Sequence, residues 1–184
     1  MKIFSDRESF ITKPNSANPF REFAVRATFS DFSEICQIFV FAVEYYKNKG
    51  IKQWDKDYDL GKIFHHINQG ETYIVRNESG ILLCTFTVSK LLPDYYPASL
   101  TKDDKMWLVK SLCTNLQQTS LIGRKVIPQI IKTAIQHQIT QIYLDCVMAN
   151  PALESLYQRY GFKRIAIVNH PKYNQDMAIM ALNM

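Results

Sequence analysis

The sequence contains no long hydrophobic run, no internal repeat and no low-complexity segment. Its longest apolar stretches, such as residues 38–43, are far shorter than the roughly 20 residues of a transmembrane helix. Residues 1–16 lack the apolar centre of a secretion signal. From these absences we predict a cytoplasmic protein that has no membrane segment.

Cysteines are few, widely spaced and placed inside apolar stretches. They form no C-x-x-C pair, and no histidine stands near them at metal-ligand spacing. We interpret them as reduced core residues and predict no metal; disulfides or a zinc site are the alternatives. The four are Cys36, Cys84, Cys113 and Cys146.

Charge and composition are those of an ordinary globular chain, with 47% hydrophobic and 21% charged residues. The net charge of +5 favours an anionic partner. Lysine and arginine are spread along the chain without a nucleic-acid motif, so we predict no nucleic-acid partner, and a basic nucleic-acid-binding domain is an alternative. The length predicts one domain, which we place over residues 21–184 after an N-terminal arm over residues 1–20.

The hydrophobic patterns predict strands and helices in a mixed order. Apolar residues three and four apart follow a helix-start signal at Ser30-Asp31 and indicate a long helix that ends at Gly50. Pro128 removes a backbone donor inside the third helix, where we expect a kink. The predicted strands cover residues 22–28, 72–76, 81–90, 106–113, 141–148, 162–168 and 176–182, and the predicted helices cover residues 31–49, 60–68, 122–138 and 151–160.

Two segments carry a family resemblance. They are KGIKQWDKDYDLGKIFHHINQGETYIV, at residues 49–75, and LDCVMANPALESLYQRYGFKR, at residues 144–164. Both resemble the GNAT-type N-acetyltransferase superfamily, in its bacterial branch with G-I-x-Q-W and L-D-C motifs. The resemblance covers residues 21–183 and implies an α/β (α+β) fold, with a mixed, mostly antiparallel sheet of six to seven strands and about four flanking helices.

The resemblance also implies an activity. Members of this superfamily move an acetyl group from acetyl-CoA directly to an amine, so the expected partners are acetyl-CoA and the primary amine of a small molecule or peptide, and a homodimer is possible. The alternative is a GNAT-like fold that has lost catalysis and serves as a ligand-binding or interaction domain.

One aromatic residue in the second segment has two possible roles. In the family, the tyrosine that matches Tyr157 protonates the coenzyme A thiolate. A phenol of pKa about 10 can do so because the leaving thiol has a comparable pKa of roughly 8.5. The other role is packing, in which the Tyr157 hydroxyl bonds a carbonyl.

The family's coenzyme signature, [RQ]-x-x-G-x-[GA], is matched in part by residues 118–123. Leu121 stands where the signature has its first glycine, a residue that permits positive φ and a close backbone approach. Backbone groups of the fourth strand and the amide of Asn150 complete the expected site. The predicted coenzyme contacts are Leu112, Cys113, Thr114, Gln118, Thr119, Ser120, Leu121, Ile122, Gly123, Arg124 and Asn150.

The acceptor amine is expected beside aromatic residues, which suit a cation or an amine with an apolar body. We place it at Tyr46, Trp54 and Tyr58; core packing is the alternative. A base must take a proton from the amine, and the sequence does not identify it. The candidates are Asp104, Glu44, Asp94 and His66.

Overall fold

The computed structural model describes residues 18–54, 60–100, 103–118 and 122–184. The strands are β1 (Val25–Arg26), β2 (Thr72–Arg76), β3 (Leu82–Ser89), β4 (Met106–Thr114), β5 (Gln141–Val147), β6 (Lys163–His170) and β7 (Gln175–Asn183), and the helices are α1 (Phe32–Asn48), α2 (Leu60–Asn68), α3 (Ile122–Gln136) and α4 (Pro151–Arg159). The strands form one sheet in the order β1-β2-β3-β4-β5-β7-β6. The pair β4–β5 is parallel and the other pairs are antiparallel. The predicted mixed, mostly antiparallel sheet with four helices is confirmed.

The first strand is much shorter than the alternation over residues 22–28 predicts. The backbone N–H groups of Phe23 and Ala24 both bond the carbonyl of Phe20, which closes a turn just before the strand. The Asn18 amide also donates to the Ala24 carbonyl at 2.8 Å. Phe20 is fully buried, so the core reaches one residue into the segment that we assign to the arm. Residues 1–17 lie outside the described part of the chain.

Helices cover both faces of the sheet. On one face, α3 and α4 pack on the apolar side chains of β4, β5 and β7. On the other face, α1 and α2 pack on β2 and β3, and the loop after β3 covers the beginnings of β4 and β5. Cys84, Cys113 and Cys146 are buried as predicted, Cys36 is half-buried, and all four are free thiols. Among the described helices, none combines the length and the apolar character of a transmembrane span.

A bulge in β4 changes the direction of its side chains. Between the pairs Thr85–Cys113 and Thr87–Lys110, β3 advances by two residues and β4 by three. Ser111 has a φ of +54°, in the left-handed region that residues other than glycine rarely adopt. The extra residue places Lys110 and Cys113 on the same face of the sheet.

The two parallel strands diverge beyond their first three pairs. Residues Met106–Leu108 pair with Gln141–Tyr143, and no further pair joins β4 and β5, both of which are fully described. The edge of β4 that faces β5 therefore lacks a strand partner from Val109 to Thr114. Buried backbone groups need hydrogen-bond partners, so this edge can receive an extended ligand.

Candidate active site

Two cavities open where β4 and β5 diverge. Cavity A has a volume of about 450 Å³ and lies between the sheet, α2 and the loop after β3. Cavity B has a volume of about 670 Å³ and lies between the end of α1, the start of α3 and α4. Gln53, Trp54, Leu112 and Leu153 line both cavities. The two spaces therefore meet at the gap between the strands.

Tyr157 lines cavity A from α4. Its side chain is only 4% exposed, and its ring packs on Phe162 with the centroids 5.9 Å apart. Its hydroxyl forms no hydrogen bond with the described residues. Burial, together with the neighbouring Cys146 and Asp145, raises the pKa of Tyr157 well above its ordinary value. The phenol therefore remains protonated at physiological pH and keeps its proton available for a ligand.

Six of the predicted coenzyme contacts line cavity B. Gln118 is exposed and Ile122 packs against the core, and neither lines the cavity. Thr119, Ser120 and Leu121 lie outside the described residues. The six that line cavity B are Leu112, Cys113, Thr114, Gly123, Arg124 and Asn150.

The thiol of Cys113 is not placed for nucleophilic attack. It is buried with its Sγ atom 3.9 Å from the carbonyl oxygen of Ile38. Burial raises the pKa of Cys113 well above its ordinary value, which disfavours the thiolate that a nucleophile requires. Cys113 lines cavity B, and its contact with a coenzyme through the backbone stays a prediction.

Cationic side chains lie on the rim of cavity B. Arg124 and Arg159 are exposed, and neither forms an ion pair with an acidic residue in the described ranges. Lys49 donates to the Tyr45 hydroxyl at 2.5 Å and lies over its ring. Unpaired guanidinium groups are suited to phosphate because they offer several donors in a planar fork. Cavity B therefore has a positive rim at the start of α3.

Asn150 connects the segment after α1 to the start of α4. Its side chain is 3% exposed and donates from Nδ2 to Oε1 of Gln53 at 3.0 Å. Tyr46 lies close to Asn150, and burial raises the pKa of Tyr46 above its ordinary value. Of the predicted acceptor residues, Tyr46 thus lines cavity B, Trp54 lines both cavities, and Tyr58 lies outside the described residues.

A carboxylate lies at the floor of cavity A. Asp145, on β5, accepts hydrogen bonds at Oδ2 from the hydroxyls of Tyr95 at 2.7 Å and Tyr96 at 3.0 Å. Burial raises the pKa of Asp145, while the two hydroxyls and the nearby His170 and Lys110 oppose that rise. A carboxylate with a raised pKa is a better proton acceptor than an ordinary one.

Of the four candidate bases named from the sequence, His66 lines cavity A. Its Nδ1 atom is 2.7 Å from Oε2 of Glu71, and Oε1 of Glu71 accepts a hydrogen bond from Ser89 at 3.1 Å. The other three do not line either cavity. Asp104 is 99% exposed and contacts Lys90, and Glu44 and Asp94 are exposed as well.

Comparisons with known proteins identify the fold. No family model matches the sequence. The chain is 24% identical over 149 residues to the uncharacterized N-acetyltransferase YesJ of Bacillus subtilis (strain 168), which covers 77% of this chain and 81% of that protein. A GNAT-family acetyltransferase of Listeria monocytogenes superposes with a TM-score of 0.68 at 19% identity, over 88% of this chain and 94% of that one. The chain has the GNAT fold. The aminoglycoside acetyltransferase AAC(6')-Ib, in complex with coenzyme A and kanamycin, superposes with a TM-score of 0.65 at 16% identity, over 88% of this chain and 94% of that one.

Three charged residues of this GNAT fold were missed in the sequence analysis. Asp145 is the charged residue in the strand QIYLDCV, and Lys110 is the charged residue in the strand MWLVKSLCT. A single charge inside an apolar strand is the signal that could have found both. Arg159 gave no such signal, because a basic residue in the last helical turn also stabilises the helix dipole.

A proline in α3 is compensated from α4. Pro128 lacks the N–H that would bond the carbonyl of Arg124, four residues earlier. The Tyr160 hydroxyl donates to that carbonyl instead, at 2.9 Å. This bond joins the start of α3 to the end of α4 beside cavity B.

A double-mutant cycle tests this compensation. Tyr160→Phe leaves the Arg124 carbonyl without its partner, so we expect the free energy of unfolding to fall by about 1 kcal/mol. Pro128→Ala restores a backbone donor, so in that background the same change is expected to cost less than about 0.5 kcal/mol. Urea denaturation of the four proteins measures the coupling. Equal costs in both backgrounds would contradict it.

Proposed function

We propose that the protein is an N-acetyltransferase, which moves an acetyl group from acetyl-CoA directly to a primary amine of a small molecule or peptide. The observation that supports this most is the unpaired edge of β4 in the gap beside Tyr157. The gap joins a cavity with a positive rim to a cavity with a half-buried carboxylate. This combination suits a reaction between a polyphosphorylated thioester and an amine.

Cavity B fits the coenzyme by its chemistry. Arg124 and Arg159 would meet phosphate groups, and the backbone of Leu112–Thr114 would bond the extended arm and polarise the thioester carbonyl. Gly123 starts α3 close to Thr114, since a Cβ atom there would lie 3.7 Å from Thr114 Cγ2. Bound acetyl-CoA supplies the acetyl group as an activated thioester. The proposal extends to Gln118, Thr119, Ser120, Leu121 and Ile122 from the family resemblance alone.

Tyr157 acts as the general acid in this proposal. When the nitrogen bonds the carbonyl carbon and the carbon–sulfur bond breaks, the Tyr157 proton passes to the sulfur. Burial raises the pKa of Tyr157, and burial is also the largest cause that raises the pKa of the neighbouring Cys146 thiol. A thiolate released in this environment is similarly basic, so proton transfer from a buried phenol is feasible.

Asp145 anchors the acceptor and takes its proton. Two protons leave the ammonium nitrogen during the reaction and one reaches the sulfur, so each turnover releases one proton to solvent. Asp145 accepts the first of them through the Oδ1 side of its carboxylate, because both tyrosines bond Oδ2. No hydrogen bond from the described residues occupies Oδ1. The tyrosines hold the carboxylate in place for this transfer.

Two neighbouring cations test the coenzyme site. Arg124 lines cavity B and Lys125, the next residue, does not. We expect Arg124→Gln to weaken coenzyme A binding roughly tenfold, since it removes a charged hydrogen-bond donor. The matched change Lys125→Gln is expected to weaken binding less than about twofold. Calorimetry with coenzyme A measures both dissociation constants, and equal effects would place the phosphates elsewhere.

Turnover separates the enzyme from the binding-domain alternative. Acetyl-CoA consumption is followed by thiol release across small amines, polyamines, aminoglycosides and peptide N-termini. Binding of coenzyme A with turnover of any amine supports the proposal. Binding without turnover would favour a catalytically inactive GNAT-fold domain, and no binding would remove the enzyme proposal.

A further inference from the structure

Cavity A carries opposite charges on neighbouring strands. Lys110 extends from β4 and Asp145 from β5, and both line the cavity on the same face of the sheet. They occupy equivalent positions two residues beyond the last β4–β5 pair, Leu108 with Tyr143. No ion pair joins the two side chains, although each influences the pKa of the other, so a ligand that carries both charges can bind between them.

Among the described residues, neither charge has an ion-pair partner. Lys110 forms no ion pair with an acidic side chain of the described residues. Glu71, which interacts with Lys110 at longer range, already bonds His66 and Ser89. Asp145 bonds hydroxyl groups, which carry no charge. Burial lowers the pKa of Lys110 and raises that of Asp145, because both charges are removed from water without a countercharge in contact.

The other residues that line cavity A indicate what kind of side chain the ligand carries. Two further basic groups of α2, Lys62 and His66, also line the cavity, and Lys62 acts electrostatically on both Lys110 and His170. Around Asp145, Tyr95 and Tyr173 both stack near the ring of His170, with centroids 4.6 Å away in each case. Aromatic walls of this kind suit an apolar or aromatic group. Cavity A is thus lined by basic groups, by one carboxylate and by aromatic rings.

We infer that the acceptor is a free amino acid with an apolar or aromatic side chain. Its ammonium group lies on Asp145, its carboxylate on Lys110, and its side chain against Tyr95, His170 and Tyr173. This inference rests on the proposed function, because Asp145 holds the nitrogen that attacks the thioester. It distinguishes the acceptor from polyamines and aminoglycosides, which present no carboxylate to Lys110 and Lys62.

Three matched compounds test the contributions of the ligand's ammonium group and carboxylate separately. L-Phenylalanine has both groups, phenethylamine lacks the carboxylate, and hydrocinnamate lacks the ammonium group. We expect kcat/KM for L-phenylalanine to exceed that for phenethylamine at least about tenfold, because a charged contact of this kind is worth that factor or more. Hydrocinnamate is expected to inhibit competitively against L-phenylalanine. An equal or higher kcat/KM for phenethylamine would overturn the inference and leave the proposed function intact.

Substitutions of Lys110 test whether this residue causes the preference for L-phenylalanine over phenethylamine. Lys110→Met is expected to lower the ratio of the two kcat/KM values at least about fivefold, and Lys110→Arg to retain most of it. Lys132→Met is the matched control, because Lys132 lies on α3, away from both cavities, and contacts Glu22. A ratio that does not change in Lys110→Met would overturn the assignment. Thermal unfolding of each variant checks that it remains folded.

Binding gives a readout that does not require turnover. Calorimetry on the coenzyme A-loaded protein compares L-phenylalanine with phenethylamine. If no amine is acetylated and L-phenylalanine still binds at least about tenfold more tightly, the site inference stands and the enzyme proposal fails. If neither compound binds and neither is acetylated, the inference fails as well.

Discussion

Tyr157→Phe is expected to lower kcat about 100-fold or more, at the lower end of the effect of a general acid. The change removes only the hydroxyl group, whose proton we assign to the leaving sulfur. The coenzyme thiol is a better leaving group than an alkoxide or an amine, which is why the loss should not approach the upper end of that range. The dissociation constant of coenzyme A should change little, since Tyr157 lines cavity A and not cavity B. Steady-state rates with a saturating amine, together with calorimetry, measure both quantities.

The stability of this variant separates the catalytic role of Tyr157 from a packing role. Because the hydroxyl bonds no described residue and the ring keeps its contact with Phe162, we expect the free energy of unfolding to change by less than about 1 kcal/mol. Tyr160→Phe on the same helix should behave oppositely, with lower stability and a retained chemical step. If Tyr157→Phe has the activity of the unchanged protein, the general-acid role is wrong.

The raised pKa of Tyr157 also extends the pH range over which its hydroxyl stays protonated. A general acid must be protonated, and burial keeps Tyr157 protonated to higher pH than an exposed tyrosine. Loss of activity near pH 10 should therefore not come from Tyr157. At such pH the unfolded chain loses its tyrosine proton while the folded chain keeps it. The contribution of this group to folding stability is therefore present below pH 10 and decreases above it.

Local patterns were sufficient to predict most of the fold. The helix periodicity of α1, with Gly50 at a φ of +71°, and the end of α4, with Gly161 at +88°, are confirmed because each depends on residues that are close in sequence. The strand over residues 22–28 was largely wrong, because the Asn18 side chain and the Phe20 carbonyl form a turn there. Alternation alone does not report such a competing local structure.

The geometry of the site depends on features that no local pattern contains. The parallel register of Leu108 with Tyr143 places Lys110 and Asp145 on one face of the sheet, where both line cavity A. That meeting depends on strand pairing between residues about 35 positions apart, as in Leu108 with Tyr143. Tyr157 could be named from the resemblance, whereas the tyrosine pair at Asp145 comes from a loop 49 and 50 residues earlier.

Asp145→Asn is the second change for which we expect a large effect, a fall in kcat/KM of about 100-fold. The amide is nearly isosteric and can still accept from Tyr95 and Tyr96 at one oxygen, so the pocket keeps its shape. It loses the charge that binds the ammonium group and the capacity to take its proton. Asp104→Asn is the matched control, because Asp104 was a candidate base and is 99% exposed outside both cavities. A larger loss in the control would move the base to Asp104.

The pH dependence of the same variant gives an independent test. Asp145 must be ionised to act, and its pKa is raised by burial despite Tyr95, Tyr96, His170 and Lys110 around it. Activity of the unchanged protein should fall as pH decreases through that raised pKa, above the 3.8 of an ordinary aspartate, and the Asn variant should lack this acidic limb.

The contribution of Asp145 to the free energy of unfolding should change with pH in the opposite direction to the activity. The folded state binds the Asp145 proton more tightly than the unfolded state, so the ionised group costs stability at pH 7 and this cost disappears on acidification. We therefore expect Asp145→Asn to be at least as stable as the unchanged protein at pH 7, with an advantage that shrinks towards pH 4, as thermal unfolding at several pH values would measure. A variant that is both inactive and markedly unstable at pH 7 would instead show that Asp145 supports the fold through its charge.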